Sequence, residues 1–280
     1  MAIKLITDSS ADLSLEQQQQ LNVDVVNLSV NWPAGETCHP GNDAFYEKLT
    51  TAKVLPKTAA PSPEDFLAAF EKAVGNGDTV IAVLISSGMS ATVQAAQIAR
   101  EDMAEKNRIF IVDSLSATMG EQVLLFEADR MIKAGTSPED IVAVLERRRH
   151  DLSFYAIMPD LKYAKMGGRV SASAATVGTL LNIHPIFGFK NGKAHSFAKA
   201  RGKKAAYLKL IDLIKADNID ASKPVIFGYS YRDNAMKEFE ELYNAAGLPT
   251  ENRSYCSLGP IVGTHGGPGA CGISFLRNTK

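Results

Sequence analysis

Val80-Ile81-Ala82-Val83-Leu84-Ile85 is the longest clean apolar run of the chain, and the polar turn Ser86-Ser87-Gly88-Met89-Ser90-Ala91-Thr92 follows it directly. A short run rich in β-branched residues is typical of a strand buried on both faces. Periodic apolar residues from Val93 to Met103 predict a helix after the turn. In open α/β sheets, ligands bind beyond the carboxyl ends of strands, where helix N-termini present free N–H groups. The turn is therefore predicted to bind the acidic group of a small molecule.

The alternation of strand and helix extends from this stretch through the first half of the chain. Strands are predicted at Ile3–Thr7, Val23–Val30 and Arg108–Val112, with helical patterns between them. Ser62-Pro63-Glu64-Asp65 and Ser137-Pro138-Glu139-Asp140 each combine a serine cap, a proline and an acid, which are signals of a helix start. Strands joined by helices pair in parallel. Residues 1–152 are predicted to form an N-terminal parallel-sheet domain with flanking helices.

The second half has a different pattern. Ile186–Phe189 and Ala194–Phe197 flank Asn191-Gly192, which is typical of a hairpin with a tight primed turn. Further strands are predicted at Phe154–Met158 and Gly272–Leu276, with helices around them. The fold class is therefore predicted to be α/β, with a C-terminal α/β domain that has a mixed sheet and covers residues 153–280.

Composition excludes several classes of protein. The chain has 280 residues, 45% of them apolar and 22% charged, with a net charge of −1, so no nucleic-acid partner is expected. The longest apolar run is far too short for an integral membrane segment. The first eight residues contain no signal-peptide pattern. Cys38, Cys256 and Cys271 have neither disulfide-rich nor zinc spacing, so we expect a reduced, cytoplasmic protein.

Two common cofactor motifs are absent or out of context. Gly267-Pro268-Gly269-Ala270-Cys271-Gly272 matches G-x-G-x-x-G, but a strand rather than a helix follows it, which argues against dinucleotide binding. No Walker A sequence occurs. The histidines show no i, i+4 pairing and no cysteine partners, so neither a metal nor a cofactor is expected.

Four positions are candidates for contacts with an anion. Ser90 lies in a turn with four hydroxyl residues, although it could also cap the following helix. The segment Pro56–Ser62 is interpreted as a loop in which Ser62 is a cap, which leaves Thr58 as the ligand candidate. His265 beside two glycines is either structural or close to a ligand. Arg169, after two glycines, is either solvated or suited to an anion.

A basic cluster also has two interpretations, as a solvated helix start or as a surface that steers an acidic partner. It comprises Lys199, Arg201, Lys203 and Lys204.

An ordered set of short segments carries a resemblance to a known family. These segments are Ile6-Thr7-Asp8-Ser9-Ser10-Ala11-Asp12-Leu13, Lys57-Thr58 before Pro61-Ser62, Ser86 to Thr92, Gly167-Gly168-Arg169, Asn191-Gly192-Lys193, Arg201-Gly202-Lys203 and His265-Gly266-Gly267-Pro268-Gly269. In this order they resemble the DegV family, the bacterial fatty-acid-binding proteins that serve fatty-acid kinase. The resemblance covers nearly the entire chain.

The resemblance implies a function and a division of roles. It implies that one long-chain fatty acid lies in a tunnel between the two domains, with its carboxylate held by Thr58 and Ser90. Arg169 and His265 would lie near the head group and serve phosphorylation by a partner kinase. The protein would then be a lipid carrier and not itself an enzyme. This sequence departs from the family's motifs at two places, and both bear on which fatty acid is preferred. The family's Thr-Ser-Gln-Pro-Ser is Thr-Ala-Ala-Pro-Ser here, starting at Thr58, and the family's glycine after the serine is Ala91 here.

Two other functions remain open on the sequence. A serine hydrolase or acyltransferase would use Ser90 as nucleophile and His265 as base, although the G-x-S-x-G elbow is missing. A regulator built on the same fold would bind a phosphate-bearing ligand in the same turn.

Overall fold

A computed structural model describes residues 2–33, 35, 42–169 and 182–278. Cys38 lies outside these residues. In chain order the first half contains β1 (Ile3–Asp8), α1 (Leu15–Gln20), β2 (Val23–Val26), β3 (Ser29–Asn31), α2 (Asn42–Thr51), β4 (Lys57–Ala59), α3 (Pro63–Gly75), β5 (Thr79–Leu84), α4 (Thr92–Asp102), β6 (Ile109–Asp113), α5 (Met119–Lys133) and α6 (Pro138–Arg148). The second half contains β7 (Leu152–Ile157), α7 (Lys162–Met166), β8 (Ile183–Lys190), β9 (Lys193–Arg201), α8 (Lys203–Asp217), β10 (Val225–Tyr229), α9 (Asn234–Ala245), β11 (Arg253–Ser257), α10 (Pro260–Gly266) and β12 (Cys271–Leu276).

The first half is built around a parallel sheet with the order β2-β1-β5-β6. Every residue of β5 is buried, as its apolar run predicts. Helices α3 and α4 pack on one face of this sheet, and α5 and α6 pack on the other. The predicted parallel sheet with flanking helices is confirmed. The serine caps are also confirmed, because Ser62 and Ser137 accept hydrogen bonds from the amides of Asp65 and Asp140.

Two predictions about the edge of this half are wrong. The predicted strand Val23–Val30 is divided into β2 and β3, since the Leu28 amide donates to the Ser9 hydroxyl (2.9 Å) instead of continuing a ladder. The segment interpreted as a loop contains β4, which pairs antiparallel with β3 and places Thr58 opposite Val30. This small ribbon is separate from the main sheet, and it gives Thr58 a fixed position.

The second half forms the predicted mixed sheet, and its strand order is β11-β10-β12-β7-β8-β9. The β8–β9 hairpin turns at Asn191 (φ 51°) and Gly192 (φ 74°), and two positive φ values are the signature of the predicted primed turn. Helices α8 and α9 cover one face. Strand β11 and helix α10 were not predicted, because their sequences show no clear periodicity.

Helix α5 lies between the two sheets and joins the two halves. Met119 and Val123 pack with Ile226 and Leu276 of the mixed sheet. Glu127 of the same helix forms an ion pair with Lys223 from the second half at 2.8 Å. The mixed sheet begins at β7, whose first residue is Leu152, while the division into domains at residue 152 stays a prediction. Of the helices in the described part of the chain, none combines the length and the apolar character needed to cross a bilayer.

Candidate functional site

The Ser86–Thr92 turn is fixed by two of its own hydroxyls. The Ser86 hydroxyl donates to the carbonyl of Gly192 at 2.6 Å and accepts from the Gly88 amide at 3.1 Å. The Ser87 hydroxyl donates to Asp113 Oδ2 at 2.5 Å. The turn is thereby attached to the β8–β9 hairpin of the second half. The sequence pattern indicates ligand donors at both hydroxyls, but the structure gives both of them structural partners.

Ser90 has a different environment from the two serines before it. Helix α4 begins at Thr92, and its N-cap is Ala91, which makes no side-chain cap bond. The alternative that Ser90 caps this helix is therefore wrong. The half-buried Ser90 hydroxyl lies 2.8 Å from Thr92 Oγ1 and lines a cavity.

All four predicted site residues, Thr58, Ser90, Arg169 and His265, line this same cavity. The rest of its wall is mostly apolar and comes from both halves of the chain: Leu28, Ala59, Ala60, Ile85, Met89, Ala117, Phe189, Ile261 and Val262. Its volume is about 80 Å³. That is enough for a handful of water-sized groups, at roughly 10–15 Å³ each. We refer to it below as the head-group cavity.

Thr58 and His265 meet across the head-group cavity. Thr58 Oγ1 of β4 lies 3.0 Å from Nε2 of His265, which α10 supplies from 207 residues further along the chain. A Cβ atom at Gly167 would lie 2.0 Å from Nδ1 of His265, so glycine is needed there for close approach. The sequence indicates only flexible backbone at this glycine.

The electrostatics of His265 keep its ring neutral at pH 7. Burial and then the charge of Arg169 lower the pKa of His265 to about 4. Arg169 is exposed, and its Nη1 donates to the Gly167 carbonyl at 2.7 Å. The cavity therefore has one cation at its rim and a neutral hydrogen-bonding pair inside.

We expect the His265 ring to titrate with a midpoint near pH 4 in an NMR titration, assigned by comparison with His265→Gln. Because the folded protein binds this proton more weakly than the unfolded chain, the associated stability is complete above about pH 6.5 and is lost as pH falls towards 4. Arg169→Gln should raise the midpoint, since it removes a neighbouring positive charge. A midpoint near 6.5 in the wild-type protein would contradict this electrostatic account.

The geometry does not support the hydrolase alternative. Nε2 of His265 contacts Thr58 rather than Ser90, and Nδ1 has no hydrogen-bond partner in the described part of the chain. A nucleophilic serine needs a base that is itself oriented by an acid.

Among the residues that the structure describes, no cluster of His, Cys, Asp or Glu is arranged to hold a metal ion.

The two departures from the expected motifs occupy different places. Ala59 and Ala60 line the head-group cavity, so the missing hydroxyl and amide make its wall more apolar. Ala91 is exposed and is not part of the lining.

In the basic cluster, Lys199 and Arg201 lie exposed on β9, and Lys203 forms an ion pair with Glu238 at 2.6 Å.

Comparison with known proteins gives a consistent result over the whole chain. The family model described as "Uncharacterised protein, DegV family" matches residues 2–278. The chain belongs to the DegV family. A DegV domain-containing protein of Clostridium acetobutylicum is 32% identical over 282 residues, which cover 98% of each chain.

Solved DegV structures share the same fold. The structure titled "Fatty Acid Binding of a DegV family Protein from Thermus thermophilus" superposes with a TM-score of 0.90 at 31% identity, covering 99% of this chain and 100% of the other. A stearic acid-binding protein from Eubacterium ventriosum has a TM-score of 0.85 at 25% identity, covering 99% of this chain and 98% of its own. The α/β fold with one parallel and one mixed sheet is thus that of DegV proteins.

Proposed function

We propose that this protein binds one long-chain fatty acid and holds its carboxylate with the hydroxyls of Thr58 and Ser90. The observation that carries the proposal is that both hydroxyls line one small, largely apolar cavity, although they come from separate elements. The fatty-acid-binding relatives named in the comparisons support the same chemistry. The acyl chain would continue from the head-group cavity into a tunnel between the two halves.

The hydrogen bonds at Thr58 suit a carboxylate acceptor. A neutral imidazole carries one hydrogen, and placing it on Nε2 of His265 lets the ring donate to Thr58 Oγ1. The Thr58 hydroxyl is then free to donate its own hydrogen to the ligand. Placing the hydrogen on Nδ1 would leave it without an acceptor among the described residues, since that atom has no partner there. His265 therefore orients the hydroxyl that meets the carboxylate.

The energetics favour a long chain over a short one. Burying each methylene contributes about 0.8 kcal/mol, so about fourteen of them contribute on the order of 11 kcal/mol before ordering costs. The carboxylate must then find donors, because an unpaired buried charge is very costly. Two hydroxyls donate hydrogen bonds to the carboxylate without forming a tight ion pair. The carboxylate oxygens therefore remain nucleophilic.

The direct test is denaturing extraction of the purified protein followed by mass spectrometry. The expected result is a fatty acid of about 14 to 18 carbons, bound near one per chain. An empty protein that also fails to bind palmitate in titration calorimetry would overturn the proposal. A phosphate-bearing molecule in place of an acid would instead indicate a regulator that binds such a ligand.

We further propose that the protein presents the carboxylate to a separate kinase, which transfers a phosphoryl group from ATP to form an acyl phosphate. One carboxylate oxygen attacks the γ-phosphorus, the bond to the β–γ bridging oxygen breaks, and ADP leaves. Arg169 supports this proposal, because an exposed guanidinium at the rim can pair with the incoming phosphate. A cytoplasmic location, where ATP is available, is part of the same proposal.

Arg169→Ala is expected to lower kinase-dependent acyl phosphate formation by roughly 10²-fold or more, because a charge-assisted contact to the transferring phosphoryl group is lost. Palmitate affinity should change by less than about threefold, since Arg169 donates to a backbone carbonyl and lies at the rim. His265→Ala should weaken palmitate binding about tenfold, because the Thr58 hydroxyl loses its orientation, and should lower transfer by a larger factor. The measurements are transfer of labelled phosphate from ATP with the cognate kinase, and palmitate titration. Equal losses in binding and transfer would contradict the division of roles.

A further inference from the structure

Three acidic side chains lie behind the head-group cavity, at the junction of the two halves. They are Asp8 at the end of β1, Asp12 just after it, and Glu121 in the first turn of α5. Asp8 and Glu121 have no exposed surface. The hydrogen-bond partners of Asp8 and Glu121 in the described part of the chain are hydroxyls and amides, with no cation among them. None of the three lines the head-group cavity.

Asp8 fixes the segment that leads to Ser90. Its Oδ2 accepts from the Ile85 amide at 2.8 Å, just beyond the last residue of β5. Ile85 lines the head-group cavity, and the amides of Met89 and Ser90 both donate to the carbonyl of Ser86 next to it (2.9 and 3.1 Å). The Asp8 carboxylate thus determines where the Ser86–Thr92 turn starts.

Glu121 fixes a second wall. Its Oε1 accepts from the Thr118 amide at 2.8 Å, and the preceding residue, Ala117, lines the head-group cavity. Thr118 has a φ of 45°, a conformation that a β-branched residue adopts only under strain. The Glu121 contact is one of the interactions that hold this strained backbone in place.

Asp12 is bound differently from the other two acids. It is half-buried, and its Oδ2 has no hydrogen-bond partner among the described residues. Its backbone carbonyl accepts from Nε2 of Gln122 at 3.1 Å, so the residue lies against α5.

The hydrogen bonds around Ser10 require a proton on one of these acids. The Ser10 hydroxyl lies 2.5 Å from Asp8 Oδ1 and 2.9 Å from Glu121 Oε1. It has one hydrogen for two carboxyl oxygens, so one of the acids carries a proton of its own. Asp8 already accepts from two amides, those of Ser10 and Ile85, whereas Glu121 accepts from only one among the described residues, that of Thr118. The proton therefore belongs to Glu121: its Oε1 donates to the Ser10 oxygen, and the Ser10 hydroxyl donates to Asp8.

We propose that Asp8 and Glu121 are positioning residues of the head-group cavity, each holding one of the two backbone segments that bring Ser90 and Ala117 to its wall. This inference rests on the proposed function, since it assigns the acids to the same fatty-acid site. It assigns them no contact with the ligand.

The proposal has a pH signature. Burial raises the pKa of Asp12 to about 8, and burial followed by the charge of Asp8 raises the pKa of Glu121 well above its usual range. The other titratable groups that face the cluster are Tyr46 from α2 and Cys256 from β11, and burial raises the pKa of both, so they stay neutral. Because the folded protein binds the Glu121 proton more tightly than the unfolded chain, this stabilisation is complete at low pH and is lost as pH rises above the usual pKa range of a glutamic acid.

The test compares Asp8→Asn and Glu121→Gln with the wild-type protein. Glutamine is close in size to glutamic acid and cannot ionise. The control is Glu127→Gln, which removes a buried carboxylate from α5 together with its ion pairs to Arg130 and Lys223, away from the cavity. Two quantities are measured between pH 6.5 and 9.5: palmitate affinity by calorimetry, and hydrogen exchange of peptides containing Ile85 and Thr118 in ligand-free protein.

We expect Asp8→Asn to weaken palmitate binding about tenfold at all pH values, with faster exchange at Ile85, because an amide loses its charged acceptor. Wild-type affinity and protection should fall as pH rises and Glu121 loses its proton, and Glu121→Gln, which cannot ionise, should remove most of that fall. Wild-type behaviour of both variants at every pH would overturn the inference, as would equal losses in Glu127→Gln. If the wild-type protein binds no palmitate, the proposed function fails, and exchange in the ligand-free protein still decides the inference.

Discussion

Thr58→Ala combined with Ser90→Ala is expected to weaken palmitate binding by roughly 10²- to 10⁴-fold, and to leave the purified protein without a bound acid. Each hydroxyl would donate one hydrogen bond to a buried carboxylate, and such bonds contribute about 1.5–3 kcal/mol each. The loss is large because the rest of the cavity wall, apart from Arg169 and His265, is apolar, and the small cavity admits few waters as replacements. The measurement is calorimetric titration with palmitate, supported by mass spectrometry of extracted ligand.

Two serine substitutions provide matched controls for this pair. Ser62→Ala removes the cap of α3, which lies outside the cavity, and should lower stability by about 1 kcal/mol without changing affinity. Ser87→Ala removes the contact to Asp113 at the same turn, but not a group that lines the cavity. If the double variant bound palmitate as tightly as these controls, the carboxylate would have other ligands and the proposed site would be wrong.

Gly167→Ala is expected to have the second largest effect, although it adds only one methyl group. The new Cβ would lie 2.0 Å from Nδ1 of His265, so the ring must move and its contact with Thr58 is lost. We expect roughly tenfold weaker palmitate binding, because the Thr58 hydroxyl is no longer oriented, and a loss of stability of about 1–3 kcal/mol from overpacking. Acyl phosphate formation should fall further than binding does, since His265 itself is displaced.

Gly266→Ala is the matched control for Gly167→Ala. Gly266 is next to His265 in the chain and lies in α10, but a Cβ there meets no atom within 4 Å. Alanine in a helix is also favoured over glycine. This variant should keep wild-type affinity and stability. Similar losses in both variants would show that the region is sensitive to any side chain, and that the approach of Gly167 to His265 has no special role.

Local and distant interactions determine different parts of this fold. The buried strand before Ser86, the capped helices and the Asn191-Gly192 hairpin are determined locally, by periodicity, caps and turn residues, and all were predictable. The edge strands β3 and β4 were not predictable in this way. Leu28 leaves the ladder because of a serine nineteen residues away, and β4 exists because β3 pairs with it, so neither feature has a signal within its own segment.

The candidate site shows the same division. A strand end followed by a hydroxyl-rich turn indicates an anion site, and this pattern includes Ser90 among the candidate ligands. The pattern could not show that Ser86 and Ser87 have structural partners, since those partners are Gly192 and Asp113. The buried acids were also missed as a group. Asp8 and Asp12 look like an ordinary polar loop until α5 brings Glu121 against them.

By itself, the sequence determined the fold class and the residue types available for binding, because strand burial, helix capping and turn geometry depend on neighbours within a few positions. Only the tertiary structure decided which hydroxyls face a cavity, why position 167 must be glycine, and how Asp8 and Glu121 come to share the hydroxyl of Ser10. The physical reason is that these properties depend on burial and on contacts between residues up to 207 positions apart. Solvent exclusion and close approach arise only when the two halves pack around α5.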